Sequence, residues 1–208
     1  LDRSVTHPDI AVVVLAGGQA TRLGGGDKCR RLISGTSIID RVIAALRPQT
    51  NLLLLSANGP PERFSDLGLT VIGDGETELQ GPLGGLLSAM SWIAENAPSI
   101  TGLVSAPADS PFLPADLVDR LQAAATQGPG EIAMASSGGR KHPVAALWPL
   151  GLRDALAETL AAPGSRSVLK FANRFKVVTE EFSVDPVDPF FNVNTPEDLA
   201  AAEKLAQL

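Results

Sequence analysis

The chain has 208 residues, 44% of them hydrophobic, with 17 Lys and Arg against 23 Asp and Glu, a formal net charge of -6 at pH 7. That length and apolar share suffice for a sizeable core in one domain, while the acidic balance argues against a non-specific nucleic-acid binder, which needs a broad basic face. Cys29 is the only cysteine, which excludes an intrachain disulfide, a CxxC pair and a cysteine-rich metal cage, and fits a reducing compartment, the cytoplasm.

In chain order, short runs rich in Val, Ile and Leu alternate with segments of helical period. Strands are expected over residues 10–16, 51–57, 69–73, 101–106, 131–135, 144–148 and 174–179, and helices over 37–46, 82–96, 114–127, 150–161, 165–173 and 195–206. Continuously apolar strands separated by helices are the pattern of a parallel sheet covered on both faces. The expected fold is therefore α/β: a three-layer, Rossmann-like, doubly wound and mainly parallel sheet. One domain over residues 1–208 is expected, with residues 1–9 as a flexible N-terminal extension. The apolar run 10–16 is too short to span a bilayer and follows no cationic region, so neither a membrane nor a targeting segment is expected. Pro82 and Pro114 suit first-turn positions, where a missing N–H costs nothing. "NTPEDL" supplies Thr195 as N-cap and Asp198 at the position from which a carboxylate supports a helix start.

Ligands of open α/β sheets bind beyond the carboxyl ends of the strands, and there the polar residues gather. The first strand runs into "GGQATRLGGGDKCRR", the second into Ser56 and Asn58, the third into Asp74, and the fourth, "GLVSAPADSP", into Asp109. For Ser56 and Asn58 turn formation is the preferred reading; for Asp74 turn and function stand level. Asp109 lies between Pro107 and Pro111, which hold the backbone extended, and it is too far upstream to cap the helix near Pro114. A functional carboxylate is preferred there, and a hard cation such as Mg²⁺ takes one or two of these. The glycine loop permits close backbone approach to an anion, with Arg22 and Lys28 flanking it. It is neither a Walker A loop nor a GxGxxG turn.

These residues resemble a family. "LAGGQATRLGGGDK" is similar to the LAGGxxxRxGGxDK signature of molybdenum cofactor guanylyltransferases, within the wider glycosyltransferase-A-like nucleotidyltransferases. The resemblance continues through "GPLGGLLSAM", "PADSPFLP", "HPVAALW", "GSRSVLKF" and "FFNVNTPEDL" to the C-terminus. It implies a nucleotidyltransferase-type sheet and a reaction in which GTP and the molybdopterin cofactor give the guanine dinucleotide cofactor and pyrophosphate, with Mg²⁺. By position it implies that Leu15, Ala16, Gly17 and Gly18 meet the nucleotide with their backbone, that Lys28 is the signature lysine, that Asp74 contacts the nucleotide, and that Asp109 holds metal and GTP. Ser56 stands where some relatives carry a nucleotide-binding Asn, and Cys29 where many carry Gly. Transient docking on molybdoenzymes and on cofactor biosynthesis proteins is a further expectation, with no nucleic acid and no membrane among the partners.

A phosphate nucleophile needs no general base, which matches a chain whose two histidines, His7 and His142, lie in no Ser-His-Asp or Cys-His arrangement. What is needed is in-line positioning and screening of charge, assigned to Arg22, Lys28 and Asp109. Asn192 and Asn194 alternate with Phe191 and Val193, so on a strand both amides face one side. With His142 they are candidates for the second substrate, turn chemistry being the alternative for the asparagines and a plain loop role for the histidine. Arg140 and Lys141, read as preceding a strand, and Arg166 and Lys170, four apart on an expected helix, are further cationic candidates. Trp92 and Trp148 are expected in the core. Arg30 and Arg31 read as steering or surface charge, and Cys29, beside cations that lower a thiol pKa, is expected to be alkylated with loss of activity. Two readings stay open beside guanylyl transfer: a cytidylyltransferase for the same cofactor or another small phosphorylated substrate, and a non-catalytic cofactor-binding maturation chaperone.

Overall fold

The computed structural model describes residues 7–17, 27–73, 81–125, 130–164 and 166–208. In chain order the elements are β1 (Ile10–Leu15), β2 (Leu32–Ile33), β3 (Thr36–Ser37), α1 (Ile38–Leu46), β4 (Leu53–Ser56), β5 (Thr70–Ile72), α2 (Pro82–Asn96), β6 (Gly102–Pro107), α3 (Leu117–Ala125), β7 (Ile132–Ser137), β8 (Arg140–Pro149), α4 (Arg153–Ala161), α5 (Val168–Ala172), β9 (Val177–Phe182) and α6 (Pro196–Leu205). Seven strands form one sheet in the order β5-β4-β1-β6-β8-β7-β9. β1 is an inner strand and pairs in parallel with β4 and β6.

Alternation along β1 divides the core into two layers. Ile10, Val12 and Val14 point to one face and pack with α1 and α3 residues such as Val42 and Leu121. Ala11 and Val13 point to the other and pack with Leu86, Met90 and Leu156 of α2 and α4. Val12, Val13 and Val14 are all fully buried, as period-two geometry requires of a strand covered on both faces. The three-layer α/β expectation therefore holds, and the sheet is mixed at one place: β8 runs antiparallel to both β6 and β7. The cause is local. Gly138 and Gly139 both have positive φ (55° and 76°), the requirement of a two-residue hairpin turn whose twist matches its strands. Strand β8 thus begins at Arg140, so Arg140, Lys141 and His142 lie within it and not before it.

Helix starts follow their caps. The Ser37 hydroxyl accepts from the Asp40 amide at 3.1 Å, and Thr195 and Asp198 form a reciprocal capping box on α6. The segment beginning at Pro114 becomes regular helix only at Leu117, and the one beginning at Leu150 opens with a 3-10 turn. Helix α5 is capped by Ser167, so Arg166 precedes it and does not share a helix face with Lys170. A small β2–β3 hairpin and a 3-10 segment, Pro61–Leu67, were not expected from the sequence. Trp148 is fully buried, its indole N–H donating to the Ser105 hydroxyl at 2.9 Å, while Trp92 is partly buried beside the same layer. Residues 1–6 of the expected extension lie outside the described residues; His7 pairs with Asp119 at 3.4 Å, and Asp9 accepts from the Thr101 amide at 2.8 Å.

Candidate active site

The carboxyl ends of β1, β4 and β6 come to one edge of the sheet. Because β8 is reversed, its amino end arrives at the same edge, with Ser105 of β6 opposite Ala146 of β8. Between these ends lies a cavity of about 300 Å³. Its walls are Leu15 and Gly17 after β1, Ser56 of β4, Gly81, Pro82 and Gly85 at the start of α2, Pro107 and Asp109 after β6, the amino-terminal half of β8 from Arg140 to Ala145, and Phe190 and Asn192. A smaller recess beside it is lined by Leu15, Ala16, Asp27, Lys28, Cys29, Ala108 and Asp109.

Chain pairing fixes the polar centre. The Ala108 amide donates to the Leu15 carbonyl at 3.2 Å, and the Val193 amide donates to the Asp109 carbonyl at 3.0 Å. Segment 190–194 is thus laid against the end of β6. It is irregular backbone and not a strand, yet both amides still reach the Asp109 edge by separate contacts. Lys28 Nζ donates to the Asp109 carboxylate and, at 2.7 Å, to Asn194 Oδ1. Asn192 Oδ1 accepts from the Ser110 hydroxyl at 2.6 Å. The Asn194 amide donates to Asp198 Oδ2 at 2.9 Å, so the capping box of α6 also holds the asparagine that holds the lysine.

Lys28 itself projects from a short 3-10 turn, Lys28–Arg30, stapled on both sides to the Pro61–Leu67 segment. Arg30 makes a two-pronged pair with Asp66 at 2.7 and 2.6 Å and also donates to the Arg63 carbonyl. Arg63 pairs with Asp27, and both guanidinium groups lie over the Phe64 ring, 5.1 and 5.3 Å from its centre. Arg30 is therefore a tether of the turn, which corrects the expectation of steering or surface charge. Cys29 is corrected too. It is buried at 5% exposure, and burial, followed by the Asp27 charge, pushes its thiol up to about 11. Its neighbouring cations do not activate it.

Of the residues singled out by sequence, Leu15, Ala16, Gly17, Lys28, Ser56, Asp109, His142, Asn192 and Asn194 gather at this edge. Gly18, Arg22 and Asp74 lie outside the described residues. Sequence reasoning missed the start of α2 as a wall. There Gly85 is required by packing: a β-carbon would stand 2.4 Å from Ser56 Oγ and 3.0 Å from Leu15 Cδ2. It also missed Ser137 and Asp188. Ser137 Oγ lies 2.7 Å from His142 Nε2 and donates to Asp188 Oδ1 at 2.8 Å, while the His142 ring stacks on Phe190 at 4.5 Å. Burial is the main cause of a His142 pKa below the ordinary value, aided by Arg140 and opposed by Asp188 and Glu181. No local pattern marks Ser137 or Asp188, since each reads as a turn former.

Among the described residues no cluster of three or more His, Cys, Asp or Glu side chains could hold a metal. The oxygen donors at this edge are the Asp109 carboxylate, the Asp27 carboxylate, which Arg63 engages, and the side-chain amide oxygens of Asn192 and Asn194, a sparse, hard-oxygen set that suits a cation keeping most positions for water and phosphate. No helix among the described residues is long and apolar enough to cross a membrane.

Comparison with known proteins places these features in context. The family model described as MobA-like NTP transferase domain matches residues 12–177. The molybdenum cofactor guanylyltransferase of Rhodopseudomonas palustris is 50% identical over 200 residues, covering 96% of this chain and 95% of that protein. The fold is shared with a molybdopterin-guanine dinucleotide biosynthesis protein A from Archaeoglobus fulgidus, with TM-score 0.73, 22% identity and coverage of 95% and 98%. It is shared as well with a Mycobacterium tuberculosis protein solved in complex with manganese, with TM-score 0.68, 19% identity and coverage of 94% and 98%.

Proposed function

Because the chain belongs to the MobA-like NTP transferase family, we propose that this nucleotidyltransferase moves GMP from GTP to the terminal phosphate of the molybdenum–molybdopterin cofactor. The products are the molybdopterin guanine dinucleotide cofactor and pyrophosphate. The observation that carries the reading is Lys28 held between Asp109 and Asn194, residues 81 and 166 positions away, at the edge where four strand ends meet. That arrangement brings a cation and a carboxylate together where a polyphosphate and its metal would lie.

In this reading the backbone of Leu15, Ala16, Gly17 and Gly18 meets the nucleotide, with Ser56 and Asp74 beside it. Lys28 and Arg22 screen the triphosphate from the incoming phosphate. A cation and a phosphate about 4 Å apart at an effective dielectric near 20 attract by roughly 4 kcal/mol before desolvation, so losing one such contact in the transition state costs on the order of a hundredfold or more. Asp109 would hold Mg²⁺, with Asn192 and Asn194 beside it, and the bound ion would neutralise charge on the transferring phosphoryl group. Asp109 must exchange its Lys28 partner for that role, leaving the lysine free to engage phosphate. No group on the chain needs to remove a proton from the nucleophile, which is already anionic.

The intact Lys28–Asp109–Asn194 set favours catalysis over cofactor binding alone, because binding does not require all three. Guanine is favoured over cytosine by the relatives' activity. A cytoplasmic enzyme of one domain, docking transiently on molybdoenzymes, completes the reading; the buried, unpaired thiol of Cys29 supports a reducing compartment. Pyrophosphate release by the purified chain decides the matter. It should require molybdopterin and a divalent cation, and proceed with GTP far faster than with CTP. Release from CTP as fast as from GTP or faster, or none from either nucleotide, would refute the proposal.

A further inference from the structure

We infer that Ser137 and Asp188 lock His142 as its Nε2-protonated tautomer, so that the cavity wall presents a bare Nδ1 that reads an N–H donor of the second substrate's pterin ring and not its phosphate. The inference rests on the proposed transfer to molybdopterin.

Proton counting fixes the tautomer. The Ser137 hydroxyl has one hydrogen, and an ionised carboxylate only accepts. Asp188 Oδ1 receives that hydrogen at 2.8 Å and the Phe190 amide at 3.0 Å. Ser137 Oγ is left as acceptor toward His142, so the hydrogen of their 2.7 Å contact resides on Nε2. The ring is further held by its stack on Phe190, tilted by 26°, which is braced edge-on by Phe182. A neutral imidazole with Nε2 protonated has an unprotonated Nδ1, and no described residue engages it.

Position and charge identify its partner. On the sheet β4, β1, β6 and β8 lie side by side, so at about 4.8 Å per strand Ser56 and His142 are separated by roughly 14 Å. If the nucleotide occupies the β1 and β4 side, His142 faces the other substrate. A lone pair repels phosphate oxygens, whereas the exposed Arg140 and Lys141 of the same strand, which also line the cavity, attract them. The ring amide and amino hydrogens of a pterin are the donors that fit Nδ1.

The chain has only two histidines, so nitrogen NMR of ¹⁵N-histidine-labelled protein reads the tautomer directly, with His7→Gln for assignment. The free protein is expected to show Nε2 protonated and Nδ1 bare. Molybdopterin added without GTP should shift Nδ1, and GTP alone should not. Ser137→Ala should mix the tautomers and raise the KM for molybdopterin about tenfold, the loss of one hydrogen bond, with the KM for GTP within about twofold; Ser137→Thr should restore both. A protonated Nδ1 in the free protein, a response of Nδ1 to GTP alone, or equal changes in both KM values would overturn the inference. If the wild-type chain transfers no GMP, the proposed function falls, while the tautomer is still read from the free protein.

Discussion

Lys28 donates at once to the Asp109 carboxylate and to Asn194, joining the turn after the glycine loop, the end of β6 and the approach to α6 through one ammonium group. Both ion-pair partners are largely buried, with side-chain exposures of 14% and 19%. Removing either leaves the other charge underpaired at the cavity edge. Lys28→Ala and Asp109→Ala should each lower GMP transfer by on the order of a hundredfold or more, with circular dichroism unchanged. Turnover near the wild-type rate in either folded variant would remove the pair from the mechanism.

Packing at the start of α2 sets a second test. A Cβ on Gly85 would sit 2.4 Å from Ser56 Oγ and 3.2 Å from Ser56 Cβ. Gly85→Ala should therefore destabilise the fold by about 1–3 kcal/mol, the usual cost of overpacking, and narrow the cavity. Adding Ser56→Ala removes the nearest atom and should recover part of the lost stability, the contacts with Leu15 Cδ2 and the residue-56 Cβ remaining. Urea unfolding of the single and double variants measures it, and simple additivity would contradict the clash.

The tether of the Lys28 turn predicts a kinetic signature. Arg63→Ala frees Asp27, removes one of the two guanidinium groups over Phe64, and should loosen the backbone from which Lys28 projects. We expect kcat to fall several-fold, with melting temperature little changed because the pair is on the surface. Arg63→Lys, which keeps charge but not the planar fork, should recover only part. A kcat equal to wild type in Arg63→Ala would make the staple irrelevant to catalysis.

Cys29 should be inert in the native protein. Its thiol is buried and raised to about 11, so at pH 8 it is almost wholly protonated. Reaction with a thiol reagent should be slow in buffer and fast in denaturant, with no dependence on GTP. Rapid native labelling accompanied by loss of activity would restore the expectation drawn from its cationic neighbours.

The α6 capping box carries a pH dependence. The Asn194 amide, opposed by burial and then aided by the Thr195 amide and hydroxyl and the Lys28 charge, holds the Asp198 carboxyl below its ordinary value. A carboxylate depressed in the folded state stabilises it fully above the unfolded pKa, about 3.9, and that contribution is lost as pH falls from there through the folded value. The protection of the Asn194 and Thr195 amides, measured against their intrinsic exchange rates at each pH, should fall below about pH 4 in the wild type. In Asp198→Asn the same amides should exchange faster at neutral pH, without the acid step.

Local rules carried much of this molecule. The periodicity of the strands, the span of α2, the cap at Thr195, and Lys28 and Asp109 as charged residues of interest were legible, because each depends on residues within a few positions or on a signature of fixed spacing. The Pro61–Leu67 segment and the β2–β3 hairpin were not, since neither is long enough to show a period. Arg30 was misread because its partners Asp66 and Arg63 come from another segment, and Cys29 because burial, which local sequence does not show, outweighs the cation beside it. His142 was named without its partners, because Ser137 and Asp188 become meaningful only when β7, β8 and the 188–190 turn adjoin.

The sequence by itself determined the alternation of strand and helix, the two-faced burial of β1 and the residues that can carry charge to a phosphate. Tertiary structure decided the meeting of Lys28 with a carboxylate and an amide far along the chain, and the placing of His142 against Asp188. It also decided the burial of the only thiol. The division is physical: secondary structure follows from short-range sterics and hydrophobic period, whereas ion-pair geometry, desolvation and tautomer depend on the three-dimensional neighbours that only the assembled sheet edge brings within reach.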